Sequence, residues 1–363
     1  MGARGNVAVT VAAGLAALVR GGTDEVGLTT EAGPMAGLGF VGFGDIVVGG
    51  HDLGDRNPSD VLDRIAGVER AFSQEMRELV RSDLHEYQGR IKLGASSGSE
   101  LSRVTEEIRG FASDNDLSTV VVVNVASTEA TGVALPDSES ALREAVESDA
   151  LPISCMYALA AIDAGAGYVN FTPSTGASGE VFAELANKRG LVLAGRDGKT
   201  GETLLKAALL PMFAARNLRI ESWFGQNILG NGDGKSLQDP ERKQAKQATK
   251  AGLVEGILGY QPDAHVGIDY VEPLGDWKVA WDHIMFKGFL GTQMNLQLTW
   301  HGADSILAAP LVIDLARICE YAMNRGDSGL LPALGFFFKE PLGSEQHALM
   351  AQYGELLHFL GAI

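Results

Sequence analysis

The 363-residue sequence predicts an α/β protein in which a doubly wound parallel sheet is joined to a second sheet region and closed by a helical return. Three observations carry this prediction. Through about residue 210, strand-like apolar runs alternate with helical patterns, the order that builds a parallel sheet covered on both faces. Longer segments with period-two alternation follow, which suit an open antiparallel sheet with one face covered. From Ser305 the helical period returns through Ile306, Leu307, Leu311, Ile313, Leu315 and Ile318.

The elements follow in order. Gly2 to Asn6 is a glycine-rich loop opening onto a small-residue helix from Val7 to Val19. "EVGLTTE" and "GDIVVGGHDL" read as short strands, and an acidic helical stretch runs from Pro58 to Tyr87 with Leu62, Ile65, Val68 and Phe72 on one face. "STVVVVNVAST" is the clearest strand, a β-branched run of the kind buried on both faces of a parallel sheet. "CMYALAAIDAGAGYVNFTPS" is helix, glycine stop, strand and polar loop, and "KRGLVLAGRDG" supplies the next strand. "NLRIESWFGQNILG", "AHVGIDYVEPL" and "GFLGTQMNLQLTWHG" are the alternating segments of the second sheet.

Composition narrows the function. Lys+Arg 29 against Asp+Glu 46 gives a net charge of −17, which argues against nucleic acid or an anionic membrane as partner. Cys155 and Cys319 lie in apolar stretches and read as free buried thiols of a reducing cytoplasm. There is neither an uninterrupted run of 18 apolar residues nor the basic-then-apolar order of a signal peptide, so a soluble cytoplasmic protein is expected.

The chemistry-bearing segments are few. "LAGRDGKTGETLLK" looks like a nucleotide-binding P-loop, but the pattern needs a glycine where Leu193 stands. What remains is a glycine turn entering a helix, whose amides favour an anion. Gly2, Ala3, Arg4, Gly5 and Asn6 form a turn that lets backbone approach a pyrophosphate; Asp52 can reach a ribose hydroxyl, and Asn124, Ser127 and Thr128 end the strongest strand. In "NILGNGDGKSLQDPERKQAKQATK", Asp239 and Pro240 start a helix that sets Lys243, Lys246 and Lys250 on one face. Lys278 lies near Asp276, and Lys339 follows three phenylalanines. The seven histidines show no zinc-binding spacing, and no metal site is expected.

Taken together, "GARGNVAVT", "VVNVASTE", "VNFTPSTG", "AGRDGKTGETLLK", "NILGNGDGKSL", "GDWKVAWD", "HGADSILAAPLVIDLAR" and "GFFFKEP" resemble the inositol-3-phosphate synthase (myo-inositol-1-phosphate synthase) family, in the family's order across nearly the whole chain. The resemblance implies a Rossmann-like doubly wound parallel sheet with an inserted α+β sheet domain for catalysis and oligomerisation. It places the NAD-binding part at residues 1–203, the catalytic and tetramer-forming part at 204–303, and the return to the NAD-binding part at 304–363. It also implies a central strand ahead of the glycine loop; since Gly2 follows Met1 directly, the sheet is expected to lack its middle and the loop its anchor.

Residue by residue, the resemblance sets NAD against Gly2, Ala3, Arg4, Gly5, Asn6, Asp52, Val125, Ala126, Ser127, Thr128 and Asp197. It gives the substrate phosphate to Thr200, Gly201 and Lys250, and the active-site positions to Lys246, Lys278, Lys339, Asp233, Asp276 and Asp304. The implied reaction turns glucose 6-phosphate into inositol 3-phosphate, the first step of inositol biosynthesis, by oxidation at C5, aldol closure of C6 on C1, and reduction at C5. A divalent or monovalent cation is an admissible helper, with no ligand set legible. The implied assembly is a homotetramer. Two rival readings share the loops: an NAD-dependent sugar-phosphate dehydrogenase, and a non-catalytic NAD-binding regulator. Positioned lysines favour an enzyme that handles an enolate.

Overall fold

Short strands buried on both sides form the centre of the protein. The structure, a computed structural model, describes residues 1–129, 131, 133–230, 254 and 257–363. Strands β1 (Gly50–Asp52) and β2 (Ile91–Leu93) form one parallel pair; β3 (Val121–Asn124), β4 (Gly167–Asn170), β5 (Val192–Gly195) and β10 (Gly329–Leu330) form a parallel sheet in the order β10-β5-β4-β3. Every residue of β4 and β5 is buried. Tyr168 pairs with Leu193 and both enter one apolar cluster, while the next pair, Val169 and Ala194, enters another. Successive side chains of a strand face opposite ways, so a strand between two helical layers buries both sets.

The helical layers are supplied from both ends of the chain. On one face lie α5 (Leu101–Asp114), α6 (Glu139–Glu147), α7 (Ile153–Ala164) and α8 (Glu180–Lys188). On the other lie α1 (Asn6–Val19), α10 (Asp304–Arg325) and α11 (Leu349–Leu360). Helix α1 is apolar nearly all round because its far side, Val9, Ala13 and Ala17, is also covered, by α2 (Pro58–Leu62), α3 (Val68–Ala71) and α4 (Gln74–Gly89).

Three expectations are corrected here. "EVGLTTE" is no strand: Thr29–Glu31 is a 3-10 turn whose Thr29 and Thr30 amides donate to the buried Asp314 carboxylate of α10, at 2.7 and 3.1 Å. "GDIVVGGHDL" contributes only Gly50–Asp52. The stretch from Pro58 to Tyr87 is three helices, broken where Gly67 takes φ 86° and where Ser73 caps α4. Leu62, Ile65, Val68 and Phe72 nevertheless share one buried cluster, as their spacing requires.

The second sheet has the order β7-β6-β8-β9, with β6 (Arg219–Leu229), β7 (Asp263–Tyr270), β8 (Trp277–Lys287) and β9 (Gln293–Ala303). It is mixed rather than wholly antiparallel, because β6 and β7 run parallel. Residues 230–262 separate them, enough chain for a crossover, whereas β8 and β9 are joined by a tight connection and pair antiparallel. Helix α9 (Glu202–Ala215) covers one face, setting Leu210 and Phe213 on Ile220, Trp223 and Ile284. Phe224, Trp277 and Trp281 stay exposed. Among the described residues no helix is long and apolar enough to cross a membrane.

Among the described residues, β1 and β3 are not paired with each other, and an apolar cleft of about 260 Å³ lined by Val48, Val121, Val123, Val312 and Ile313 lies between them. The glycine loop spans the end of this cleft through backbone hydrogen bonds. The Met1 amino group donates to Val123 O and Val125 N to Met1 O, both at 3.1 Å, while Gly2 N and Ala3 N donate to His51 O at 3.0 and 3.1 Å. The loop is therefore tied to both sheets. Preceding Met1 with an extended β-branched segment of about five residues, the length of an ordinary strand, is expected to fill the cleft and raise the melting temperature by several degrees; an unchanged value in calorimetry would count against the cleft as a strand seat.

Candidate active site

The loop before α1 is shaped by close approach. Gly2 has φ +82°, and a Cβ there would stand 2.8 Å from the backbone of Ala126, so a side chain is excluded on both counts. A Cβ on Gly5 would lie 3.1 Å from Gly2 O. The two glycines leave a shallow cradle at the positive end of α1, whose first turn carries no acid. Asp52 holds it in place, accepting from Arg4 N and from Gly54 N at 2.7 Å each. Across the cradle, Asn124 Oδ1 accepts from Ala126 N at 3.1 Å and so fixes the turn that leads to Ser127 and Thr128. Glu129 receives the Ile153 and Ser154 amides at 3.0 and 2.8 Å, a carboxylate satisfied at the start of α7.

The second loop is stitched to the carboxyl-terminal segment. Arg196 N donates to Glu340 O at 2.9 Å, Lys339 N to Asp197 O at 2.7 Å, Lys199 N to Phe337 O at 2.8 Å and Leu342 N to Gly195 O at 2.7 Å. This pairing sets Lys339 Nζ 2.7 Å from Asp197 Oδ1. Gly198 lies flat on Phe171, where a Cβ would meet the ring at 2.2 Å. Thr200 and Gly201 then open α9, and below them Glu202 and Lys206 form a fully buried ion pair at 2.7 Å, with Asn227 donating to the same carboxylate. The i, i+4 spacing of that pair is legible in sequence; its burial is not.

The third side comes from the second sheet and α10. Lys278 Nζ lies 3.6 Å from Asp304 Oδ1 and close to Gly201. Asp276, only 3% exposed, accepts from Ser305 Oγ at 2.8 Å and Asn6 Nδ2 at 3.2 Å. Burial pushes its carboxyl above the ordinary aspartate value, against the pull of those two donors.

These three sides enclose one cleft of about 640 Å³. Its walls include Gly2, Gly5, Asn6, Asp52, Val125, Ala126, Ser127, Thr128, Asp197, Thr200, Gly201, Asp276, Lys278, Asp304 and Lys339. Ala3 and Arg4 stand behind the wall: Ala3 is buried with its carbonyl accepting from Tyr87, and the Arg4 side chain donates to Arg56 O. Asp233, Lys246 and Lys250 lie outside the described residues. Among the described residues no cluster of acids, histidines and cysteines could hold a metal ion. Arg56, Glu129, Glu202 and Asn227 also line the cleft and carry no motif that would have singled them out. His51 lines it too and is paired with Glu107 at 2.9 Å. Cys155 and Cys319 are buried free thiols, each pushed up to about 12 by burial.

Residues 201–305, which include Gly201, Asp276, Lys278 and Asp304, match the family model described as myo-inositol-1-phosphate synthase. The inositol-3-phosphate synthase 1 of Bacteroides thetaiotaomicron is 30% identical over 96% of this chain and 89% of its own length. The chain belongs to the inositol-3-phosphate synthase family. It thereby falls within that enzyme class. The synthase of Trypanosoma brucei brucei is also 30% identical, over 84% of the chain, which spans 64% of that longer protein. In fold, the crystal structure of the Caenorhabditis elegans synthase superposes with a TM-score of 0.86 at 24% identity, covering 99% of this chain and 84% of that one. A myo-inositol-1-phosphate synthase-related protein of Thermotoga maritima gives 0.77 at 27% identity, covering 99% and 96%. The α/β architecture read from the sequence is the family's fold.

Asp276→Asn keeps an acceptor for Ser305 and removes a charge that burial disfavours. Because the folded-state carboxyl titrates above its unfolded value, the wild-type chain loses stability as pH rises through that window and remains penalised at neutrality. The variant is expected to melt roughly 2–4 °C higher at pH 7, with the gap closing in acid; equal melting at every pH would show that the carboxyl is not strained.

Proposed function

We propose that this chain converts D-glucose 6-phosphate to 1D-myo-inositol 3-phosphate in the cytoplasm, with NAD as a catalytic hydride carrier. The observation that carries the reading is the meeting, in one cleft of a family member, of a glycine cradle at a helix start with Lys278 and Lys339, each beside an acid at the Thr200–Gly201 turn. The cradle of Gly2 and Gly5, the Val125 to Thr128 turn and Asp52 suit a dinucleotide, since backbone amides and a helix terminus favour a pyrophosphate. NAD, when bound, supplies the hydride acceptor and donor for C5.

The chain's own residues hold the sugar and move protons. Thr200, Gly201 and the amides that open α9 receive the phosphate, joined by Lys250. Lys278 and Lys246 are assigned to the C5 oxygen, where an amine takes the hydroxyl proton and an ammonium then stabilises the enolate oxygen. Asp304, 3.6 Å from Lys278 Nζ, offsets the change of charge. Lys339, oriented by Asp197, is assigned to the C1 carbonyl oxygen, which gains negative charge as C6 attacks. Asp276 keeps Asn6 and Ser305 in register between cradle and lysines, and Asp233 is assigned to the active site by the family resemblance alone. No ligand set for a helper cation is assigned.

A homotetramer is the assembly that suits the second sheet. Phe224, Trp277 and Trp281 are 40%, 37% and 38% exposed on its uncovered face, and Phe289 and Leu290 at the β8–β9 connection are 88% and 86% exposed. An aromatic patch of this kind calls for a partner surface. Trp281→Lys is expected to shift the protein to smaller species in light scattering; an unchanged mass would place the interface elsewhere.

The decisive assay incubates excess glucose 6-phosphate with trace NAD and follows product by phosphorus NMR and NADH by absorbance. Many product molecules per NAD are expected; NADH equal to substrate consumed would favour the dehydrogenase, and NAD binding without turnover the regulator. Lys246→Ala, Lys278→Ala and Lys339→Ala are each expected to lower turnover about a hundredfold to a thousandfold with NAD binding retained. Parent rates in these variants would overturn the lysine assignments.

A further inference from the structure

The cations around the second loop are paired with carboxylates, with one exception among the described residues. Lys339 meets Asp197 at 2.7 Å, Lys206 meets Glu202 at 2.7 Å, Arg196 meets Glu340 at 2.5 Å and Lys278 meets Asp304 at 3.6 Å. Lys199 does not. Its side chain turns inward, is 4% exposed, and donates to the neutral amide oxygen of Gln352 on α11 at 2.5 Å; Gln352, 1% exposed, is itself held by donating to Gln346 O. A buried amine with an amide for partner costs stability that a methionine of the same length would not. The backbone of Lys199 leads directly into Thr200 and Gly201, and its amine feels the positive charge of Lys339, which lines the cleft.

We propose that Lys199 is a positioning residue for the substrate's phosphate: its buried amine supplies the unbalanced positive charge behind the Thr200–Gly201 turn, and the arrival of a phosphate there draws a proton onto it. The inference rests on the reading that the turn takes a phosphate. Lys339 and His347 are the ionisable groups that bear on the Lys199 amine, and Glu345 in turn bears on His347. Burial first, and then the positive charge of Lys339, lower the amine to about 8. Near pH 8 it is therefore partly neutral, and a neighbouring dianion favours the charged form. Binding and protonation are coupled through this one side chain, while Lys199 itself stays out of contact with the sugar.

Calorimetric titration tests the coupling without turnover. Glucose 6-phosphate, with inorganic phosphate as a second probe, is titrated at pH 8 in two buffers of different ionisation heat, where the phosphate is already a dianion and takes up no proton of its own. The parent is expected to take up as much as about half a proton per phosphate bound. Lys199→Met is expected to bind at least tenfold more weakly with no uptake and to melt no lower than the parent. Lys199→Arg, which keeps the charge but never loses its proton, is expected to retain binding and lose the uptake. Uptake persisting in Lys199→Met, or absent from a parent that binds, overturns the proposal. A parent that binds with uptake yet forms no inositol phosphate leaves it standing and overturns the reaction assigned above, whereas a parent that binds neither probe overturns both.

Discussion

The backbone pairing of Gly195–Lys199 with Phe337–Leu342 is the constraint on which the site depends. It joins two stretches far apart in sequence through backbone hydrogen bonds of 2.7–3.2 Å, where β5 and the 3-10 turn Pro332–Phe337 have come to an end. Where it holds, Lys339 meets Asp197, Gly198 lies against Phe171, and Thr200 and Gly201 start α9 facing the cleft. The amides are satisfied only in this register, since slipping it by one residue would leave buried donors unpaired. Residues on the loop then need no further support to face Lys278 and Asp304 across the gap.

Charge in the cleft follows from this geometry. Among the described residues that line it, Lys278 and Lys339 each have an acid within reach. Glu202 and Lys206, wholly buried, cancel each other beneath the helix start and tie α9 to Asn227 on β6. Breaking one member of such a pair strands the other in a medium that cannot solvate it. The pair therefore holds α9 on the second sheet in addition to their apolar contact.

Much of this was legible in the residues. β3 announces itself as a β-branched run and β4 and β5 as short apolar runs behind a glycine, and the Leu62, Ile65, Val68 and Phe72 spacing correctly marks one buried face although the helix carrying it is broken twice. Short strands such as Gly50–Asp52 and Gly329–Leu330 were not, because two or three residues hold no period. The parallel register of β6 and β7 was hidden for a related reason: alternation reports which face is buried, not the direction of the neighbour. Within the site, Gly2, Asp52, Asp197, Lys278 and Lys339 could be named from motifs, whereas Glu202, Asn227 and the inward turn of Lys199 depend on which elements pack over them. That information resides in contacts between distant segments.

One face of β4 and β5, bearing Val169, Val192 and Ala194, is covered by α10 and α11, which come more than a hundred residues after β5. During synthesis the chain must hold a finished strand layer with half its apolar surface in water until more than a hundred further residues have emerged. At ribosomal speeds of about 5–20 residues per second that wait lasts many seconds. The same late stretch that completes the core also brings Asp304, at the start of α10, and Lys339, between α10 and α11, so the cleft cannot act before the fold is closed.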